Sequence, residues 1–343
     1  MTGEWTAGQA RDLARDLLMA TGVPVPAATR TAEALVLADV WGIGSHGLSR
    51  LPYYLERIAA GGCNPAAALR LVTDTGPLAC YDGADGLGHW QVWRAAEQAR
   101  DRCRISGVAV VAVGRSSHCG ALGIYTLPLV EAGMVGLVFS NGPAVMPPWG
   151  GTAPVVSTSP IAAGVPCRPH PAIVDLATSA VARGRIQAHA QRGEPIPQGW
   201  AFTAAGEPTT DPAEAIAGML APLGGPKGFA LAFLVEALTG GMVGPALSTE
   251  VSDMFTPSDV AVPQRISHLV LALDPARLDV EGNGGEARLD QLAATVRAAG
   301  GRVPGAARPL PSEVADESEL TVLPKVRHDL AAWAARLNLR YPS

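Results

Sequence analysis

Gly42-Ile43-Gly44-Ser45-His46-Gly47 fits the G-x-G-x-x-G pattern of dinucleotide-binding loops, but the residues before it argue against that reading. The pattern needs a strand leading into the glycines and a helix leading out. What precedes it is Ala32-Glu33-Ala34-Leu35-Val36-Leu37-Ala38, a run of helix formers. The glycines therefore end a helix that begins near Ala27, and no Rossmann site is expected at them. The stretch from Gly44 to Arg50 offers other chemistry. A Ser-His pair moves a proton, and an Arg one helical turn further on clamps a carboxylate. Taken alone, Ser45-His46 reads more readily as a capped helix start with a structural His, and Arg50 equally well as a solvated helix Arg.

Composition narrows the class. The chain has 343 residues, 48% apolar and 17% charged, which suits one large or two smaller packed domains. The net charge of -5, with no Lys/Arg cluster, speaks against a nucleic-acid surface. No apolar run approaches the roughly 18 residues of a membrane span. Met1-Thr2-Gly3-Glu4-Trp5 lacks the basic and apolar regions of a secretory leader. Cysteines 63, 80, 103, 119 and 167 are odd in number and form no CxxC pair. We read reduced thiols in a cytoplasmic protein, with no metal site.

Along the chain, residues 5–20 have helical spacing with Thr6 as cap. Helical patterns return at 51–58, 90–103, 121–132, 178–190, 229–239, 286–298 and 324–338. Strands are expected at 68–81 (broken at Gly76-Pro77), 108–113, 135–139, 161–165, 173–177 and 268–273, and residues 195–212 read as irregular. The polar loop Gly114–Gly120 follows a strand, where loop residues commonly meet ligands. Leu223-Gly224-Gly225-Pro226-Lys227-Gly228 is not a Walker A loop, though a Lys at a Gly-rich helix start suits an anion.

Several ordered motifs carry a resemblance. They are Ala38–Gly47 with Arg50 and Tyr54, Arg115–Gly120, Gly150-Gly151, Ser157–Pro160, Asp175–Ser179, Ile196–Trp200, Pro208–Pro212 and Gly225–Gly228. In this order they resemble the type 2 malate/L-lactate dehydrogenases, a family that includes ureidoglycolate and sulfolactate dehydrogenases, 2,3-diketogulonate reductase and Δ1-piperideine-2-carboxylate reductase. The resemblance runs from about Thr31 to Leu273.

It implies an α+β, non-Rossmann nicotinamide-binding fold. A helical domain from both chain ends (1–75 with 302–343) would sit beside a mixed-sheet domain (76–301). It also implies a homodimer, NAD(H) or NADP(H), and a small carboxylate substrate. By the same resemblance Ser45 and His46 form the proton-transfer pair, Asp175 completes the relay, and Arg50, Thr158 and Tyr54 meet the substrate. The cofactor falls to His118, Cys119, Gly120, Ala121, Leu122, Asn141, Thr158, Ser159, Asp175, Leu176, Ala177 and Lys227. His118 competes with His46 as acid/base.

The chain departs from the family at Ser159, where Asn is usual, and in Ser116–Gly120, where Ser-Asn-His-Phe-Gly is usual. The substrate therefore stays open between a 2-oxo acid and a cyclic imino acid. A cofactor-binding relative without turnover is a further alternative. A serine hydrolase finds no G-x-S-x-G elbow. No residue declares NAD over NADP.

Overall fold

The computed structural model describes residues 5–253, 256–280, 282 and 284–342. Among the described residues seven strands form the main sheet: β1 (Arg70–Asp74), β2 (Leu78–Asp82), β3 (Val108–Ser116), β4 (Val135–Ser140), β5 (Ile161–Val165), β6 (Ala172–Leu176) and β7 (Ile266–Leu273). Their order is β1-β2-β3-β7-β4-β5-β6. Only β2 and β3 run parallel, and every other pairing is antiparallel. A mixed sheet of this kind has no βαβαβ half in which a Rossmann dinucleotide crevice could form. β3, β7 and β4 are central and apolar on both faces, as strands covered on both sides must be.

Helix α1 (Ala7–Ala20) starts at Thr6, whose hydroxyl and Gln9 make a reciprocal capping box. α2 (Val25–Val40) ends just before the Gly44–His46 3-10 turn. No strand precedes those glycines, for the reason the helix formers implied. α3 (Leu51–Ala60) follows, and α4 (Gly88–Ser106) is the crossover joining β2 to β3. Trp5, Leu17, Leu18, Leu35, Leu51 and Leu55 share one apolar cluster with Leu320, Leu330 and Trp333 near the other end of the chain. Trp5–Thr6 also pairs with Glu319–Leu320. A second cluster lies between the sheet and α4.

Two expected helices differ. The 121–132 pattern is a 3-10 segment, Leu122–Thr126, followed by a single α turn, Leu127–Val130. Asp175 occupies the Gly123 amide here, and Pro128 restarts the helix at its own N-terminus. The 178–190 pattern becomes helical only at Arg183, giving α5 (Arg183–Arg192). Thr178, Ala180 and Ser179 are first drawn into bonds with Thr158, Ala221 and Val181. Within 195–212, Ala201–Phe202 and Pro208–Thr209 form a short hairpin. α6 (Pro226–Glu236), α7 (Gly285–Ala298) and α8 (Pro324–Arg336) match their patterns.

Candidate active site

A cavity of about 360 Å³ opens where the Gly44–Arg50 loop meets the ends of β3, β4 and β6. That volume lies in the range of a small-molecule site. Ser45, His46, Arg50, His118, Cys119, Gly120, Ala121, Leu122, Asn141, Thr158, Asp175, Leu176 and Ala177 all line it. Residues more than a hundred positions apart in sequence therefore share one space.

The front loop is tightly ordered. Ser45 Oγ lies 3.0 Å from His46 Nδ1. Arg50 Nε donates to the Ser45 carbonyl at 2.8 Å, which ties the guanidinium to the loop that carries the imidazole. Burial, and then the Arg50 charge, push His46 down to about 4. An imidazole in that state is neutral at physiological pH and acts first as an acceptor of protons.

His118 stands beside it, with its ring stacked on His46 at 5.6 Å between centroids. Its Nδ1 is 2.7 Å from the Tyr54 hydroxyl and 3.3 Å from the Gly120 amide. A backbone N–H only donates, so Nδ1 is the acceptor and the ring proton resides on Nε2. Burial holds this imidazole well below its usual range, and His46 and Arg50 push in the same direction. His118 is thus a neutral N–H donor with a settled tautomer. The Tyr54 hydroxyl is buried and used up on His118 rather than offered to the cavity. Tyr54→Phe should lower kcat by about fivefold, through the lost hydrogen bond of about 1 kcal/mol, with Tm little changed. Steady-state kinetics beside a melting curve checks this.

Asp175 Oδ2 accepts the Gly123 amide at 2.8 Å. A methyl on Gly123 would meet the carboxylate at 3.0 Å, so glycine is what lets this loop close on the acid. Burial raises the Asp175 carboxyl, with the Gly123 amide and Arg308 opposing. Among the described residues no hydrogen bond joins Asp175 to His46, so the expected three-membered relay is not continuous here.

Three other expected residues stand apart from the cavity lining. Tyr54 lies behind His118. Ser159 is fully buried with φ +41°, its hydroxyl on the Ser157 carbonyl at 3.2 Å. Lys227 is exposed in the first turn of α6. Asn141 lines the cavity, but its amide bridges Ala246 O and Ser267 N, so only its remaining edges face inward.

The cavity also contains residues that sequence reasoning missed: Arg183, Gly184, Asp253 and Arg308. Arg308 arrives because Pro304 O accepts the Ile173 amide at 2.9 Å, laying the 304–308 segment along β6. Its side chain packs over Trp41 at 5.0 Å, and its Nη1 is buried with no hydrogen-bond partner among the described residues. The Pro304-Gly305 turn was the available signal, but nothing local says which wall it reaches. Gly184 lies against Ser45, where a methyl would be 3.7 Å from Ser45 Cβ. The start of α5 therefore closes over the front loop. The small residues Gly120, Ala121, Gly142 and Ala177 leave backbone open to a close-fitting ligand, as a nicotinamide cofactor requires. Among the described residues no group of three or more His, Cys, Asp or Glu is placed to hold a metal ion. Likewise no described helix is long and apolar enough to cross a membrane.

Comparison with known proteins agrees with this picture. Residues 5–322 match the malate/L-lactate dehydrogenase family. The (2R)-3-sulfolactate dehydrogenase (NADP(+)) of Chromohalobacter salexigens is 42% identical over 269 residues, covering 78% of this chain and 80% of that protein. The structure of Δ1-piperideine-2-carboxylate reductase from Pseudomonas syringae pvar. tomato superimposes with a TM-score of 0.88 at 29% identity, over 97% of this chain and all of that one. Sulfolactate dehydrogenase from Methanocaldococcus jannaschii gives 0.86 at 28% identity, over 99% and 98%. Fold and relatives together define an NAD(P)H-dependent oxidoreductase of the non-Rossmann type. The chain belongs to the malate/L-lactate dehydrogenase family.

Proposed function

We propose that this enzyme reduces a 2-oxo acid bearing a second anionic group, carboxylate or sulfonate, and that His46 handles the proton. The observation that carries the reading is the charge of the cavity. Arg50, Arg183 and Arg308 line it against only Asp175 and Asp253, with the imidazoles neutral. Its net positive charge favours an anionic ligand, and three guanidinium groups offer partners for more than one anionic group. The 42% identity to a sulfolactate dehydrogenase points the same way.

In this reading Arg50 takes the substrate's 1-carboxylate. That pairing cancels the positive charge that helps hold the imidazole low, so substrate binding itself raises the proton affinity of His46. Ser45, at Nδ1, orients the ring and leaves Nε2 for the substrate oxygen. His118 offers its fixed Nε2–H to the same oxygen as negative charge develops. Thr158 serves the substrate end, and Asp175 serves the cofactor end with the 118–122 loop, Asn141, Leu176 and Ala177. The nicotinamide, when bound, supplies or takes the hydride. Lys227 and Ser159 have no role in this scheme.

The test is a panel of oxaloacetate, 3-sulfopyruvate, pyruvate and Δ1-piperideine-2-carboxylate with NADH and NADPH. A dianion preferred over pyruvate in kcat/KM by about 10²-fold or more fits an added charge-assisted contact. A cyclic imine preferred over every keto acid sinks the reading and moves the enzyme to imine reduction. The same panel reads out the choice between NAD and NADP.

The homodimer and the division into 1–75 with 302–343 and 76–301 belong to this proposal. The separate apolar clusters support two units, but β1 (Arg70–Asp74) belongs to the main sheet, so the first boundary falls before Arg70 rather than at 75. Helix α6 supports the dimer, because between Lys227 and Glu236 it is wholly apolar yet leaves Leu231 42%, Phe233 63% and Leu234 50% exposed. An apolar-all-round helix is normally covered. Phe233→Glu should convert the dimer to monomer in light scattering. A wild-type chain of monomer mass would remove this part of the proposal.

A further inference from the structure

Asp39 has no part in the scheme above, yet its carboxylate is built into the loop that carries Ser45 and His46. It sits in the last turn of α2, where the helix dipole disfavours a negative charge. Burial pushes its carboxyl up to about 6, and the Leu48 amide pulls against that rise. Glu313 and Glu319 share the crevice on its outer side. The placement is therefore unfavourable for an acid, and an acid there needs a compensating task.

The contacts show the task. Asp39 Oδ2 accepts the Leu48 amide at 2.8 Å, capping the start of the Leu48–Arg50 turn. Oδ1 points at the two glycines of the loop. A methyl on Gly44 would meet it at 3.4 Å, and one on Gly47 would overlap the carboxylate. Gly47 has φ −93° and ψ −145°, so no left-handed φ calls for glycine there. The space its side chain would take is filled by Asp39. Ser45 and His46 are strung between these two glycines, and Arg50 lies two residues beyond the capped amide.

We propose that Asp39 is a positioning residue: its carboxylate moulds the Gly44–Arg50 loop so that Ser45, His46 and Arg50 face the cavity as one unit. Asp39 touches neither substrate nor cofactor. It acts through the loop, and the inference rests on the reading of that loop given above.

The experiment compares Asp39→Ala, Asp39→Asn, Gly47→Ala and the Asp39→Ala/Gly47→Ala pair, with His46→Ala beside them. The measurements are kcat, KM, coenzyme affinity by fluorescence, and Tm. Asp39→Ala should lower kcat by about 30-fold or more, since displacements near 1 Å at a reacting group reach about 10²-fold. Coenzyme affinity should stay within about threefold, because the coenzyme residues lie on other elements. Asp39→Asn keeps an acceptor for the Leu48 amide and should recover most of the loss. Gly47→Ala alone should be as damaging as Asp39→Ala. In the double variant the new methyl enters the space Asp39 has left, so the pair should be no worse than Asp39→Ala alone.

A kcat for Asp39→Ala within about threefold of wild type overturns the inference, as does a double variant whose loss is the product of the single losses. Equal losses of kcat, coenzyme affinity and Tm overturn it too, since they describe general unfolding. Should Asp39→Ala not fold, Asp39→Asn and Gly47→Ala carry the same comparison: a Gly47→Ala enzyme with wild-type kcat refutes the moulding. His46→Ala separates the two proposals. If it keeps full turnover, the proton assignment fails regardless of Asp39. If it is inactive while Asp39→Ala is active, only the present inference fails.

Discussion

Replacing His46 by alanine should lower kcat by about 10²- to 10⁴-fold while coenzyme affinity stays unchanged, the range expected when a positioned acid/base is removed. The reasoning is geometric first. His46 is anchored at Nδ1 by Ser45 and shares a loop with Arg50, so a carboxylate on the guanidinium sits beside the imidazole. His118 is poorly suited to the same task. Its Nδ1 is engaged by Gly120 and Tyr54, and it is held well below the usual imidazole range. His118→Ala should therefore cost a donor contact of about 1.5–3 kcal/mol at the transition state, roughly 10- to 10²-fold. Single-turnover reduction by both variants, with coenzyme binding followed separately, gives the comparison. Full turnover by His46→Ala with none by His118→Ala would reverse the two roles.

Acid should unfold this protein early, because imidazoles are buried in neutral form. His89 is held down to about 3, and His46 and His268 to about 4, in each case chiefly by burial. The sign follows from proton uptake. An unfolded chain binds these protons near pH 6.5 and the folded chain only near 3 to 4. Between those values the unfolded state holds more protons, so stability is intact above about 6.5 and falls as the pH falls. A drop from 6.5 to about 4 corresponds to about 3 kcal/mol per group once the pH is below 4. That is a large share of a typical total of about 5–15 kcal/mol. Asp39 works in the opposite direction. Raised to about 6, it favours the folded state as it protonates between 6 and 4, and offsets roughly one of these groups.

His89 is the position to change, because both of its ring nitrogens are buried without a hydrogen-bond partner among the described residues. Its ring lies edge-on to Tyr54 at 4.9 Å, a contact that phenylalanine keeps. His89→Phe should make the protein more stable than wild type by about 2 kcal/mol at pH 5, with a smaller difference at pH 8. Urea unfolding at several pH values measures this. Parallel curves for the two proteins would show that His89 titrates as freely folded as unfolded.

Much of this enzyme can be read from local order in the chain. The helix formers before Gly42 excluded a Rossmann turn, because helix and strand differ in period and composition over only a few residues. The capping box at Thr6, the apolar runs of β3 and β4 and the ordered motifs from Ala38 to Gly228 are likewise short-range features. They were enough to indicate the family and most of the cavity lining. Other features depend on residues far apart in sequence. Thr178–Ala182 is not helical because Thr158 and Ala221 claim its backbone. Tyr54 turns from the substrate to His118 because α3 packs behind the 118 loop.

Arg308 enters the cavity along β6, and Lys227 stays at the surface, although a count of basic residues treats them alike. Asp39 and Gly47 explain each other only when one is seen to occupy the other's space. Residue type and spacing thus specified the elements and the reactive groups. Packing between distant segments selected which groups meet, which are spent on one another and which charge surrounds the substrate, since burial and orientation are properties of neighbours that the linear order does not name.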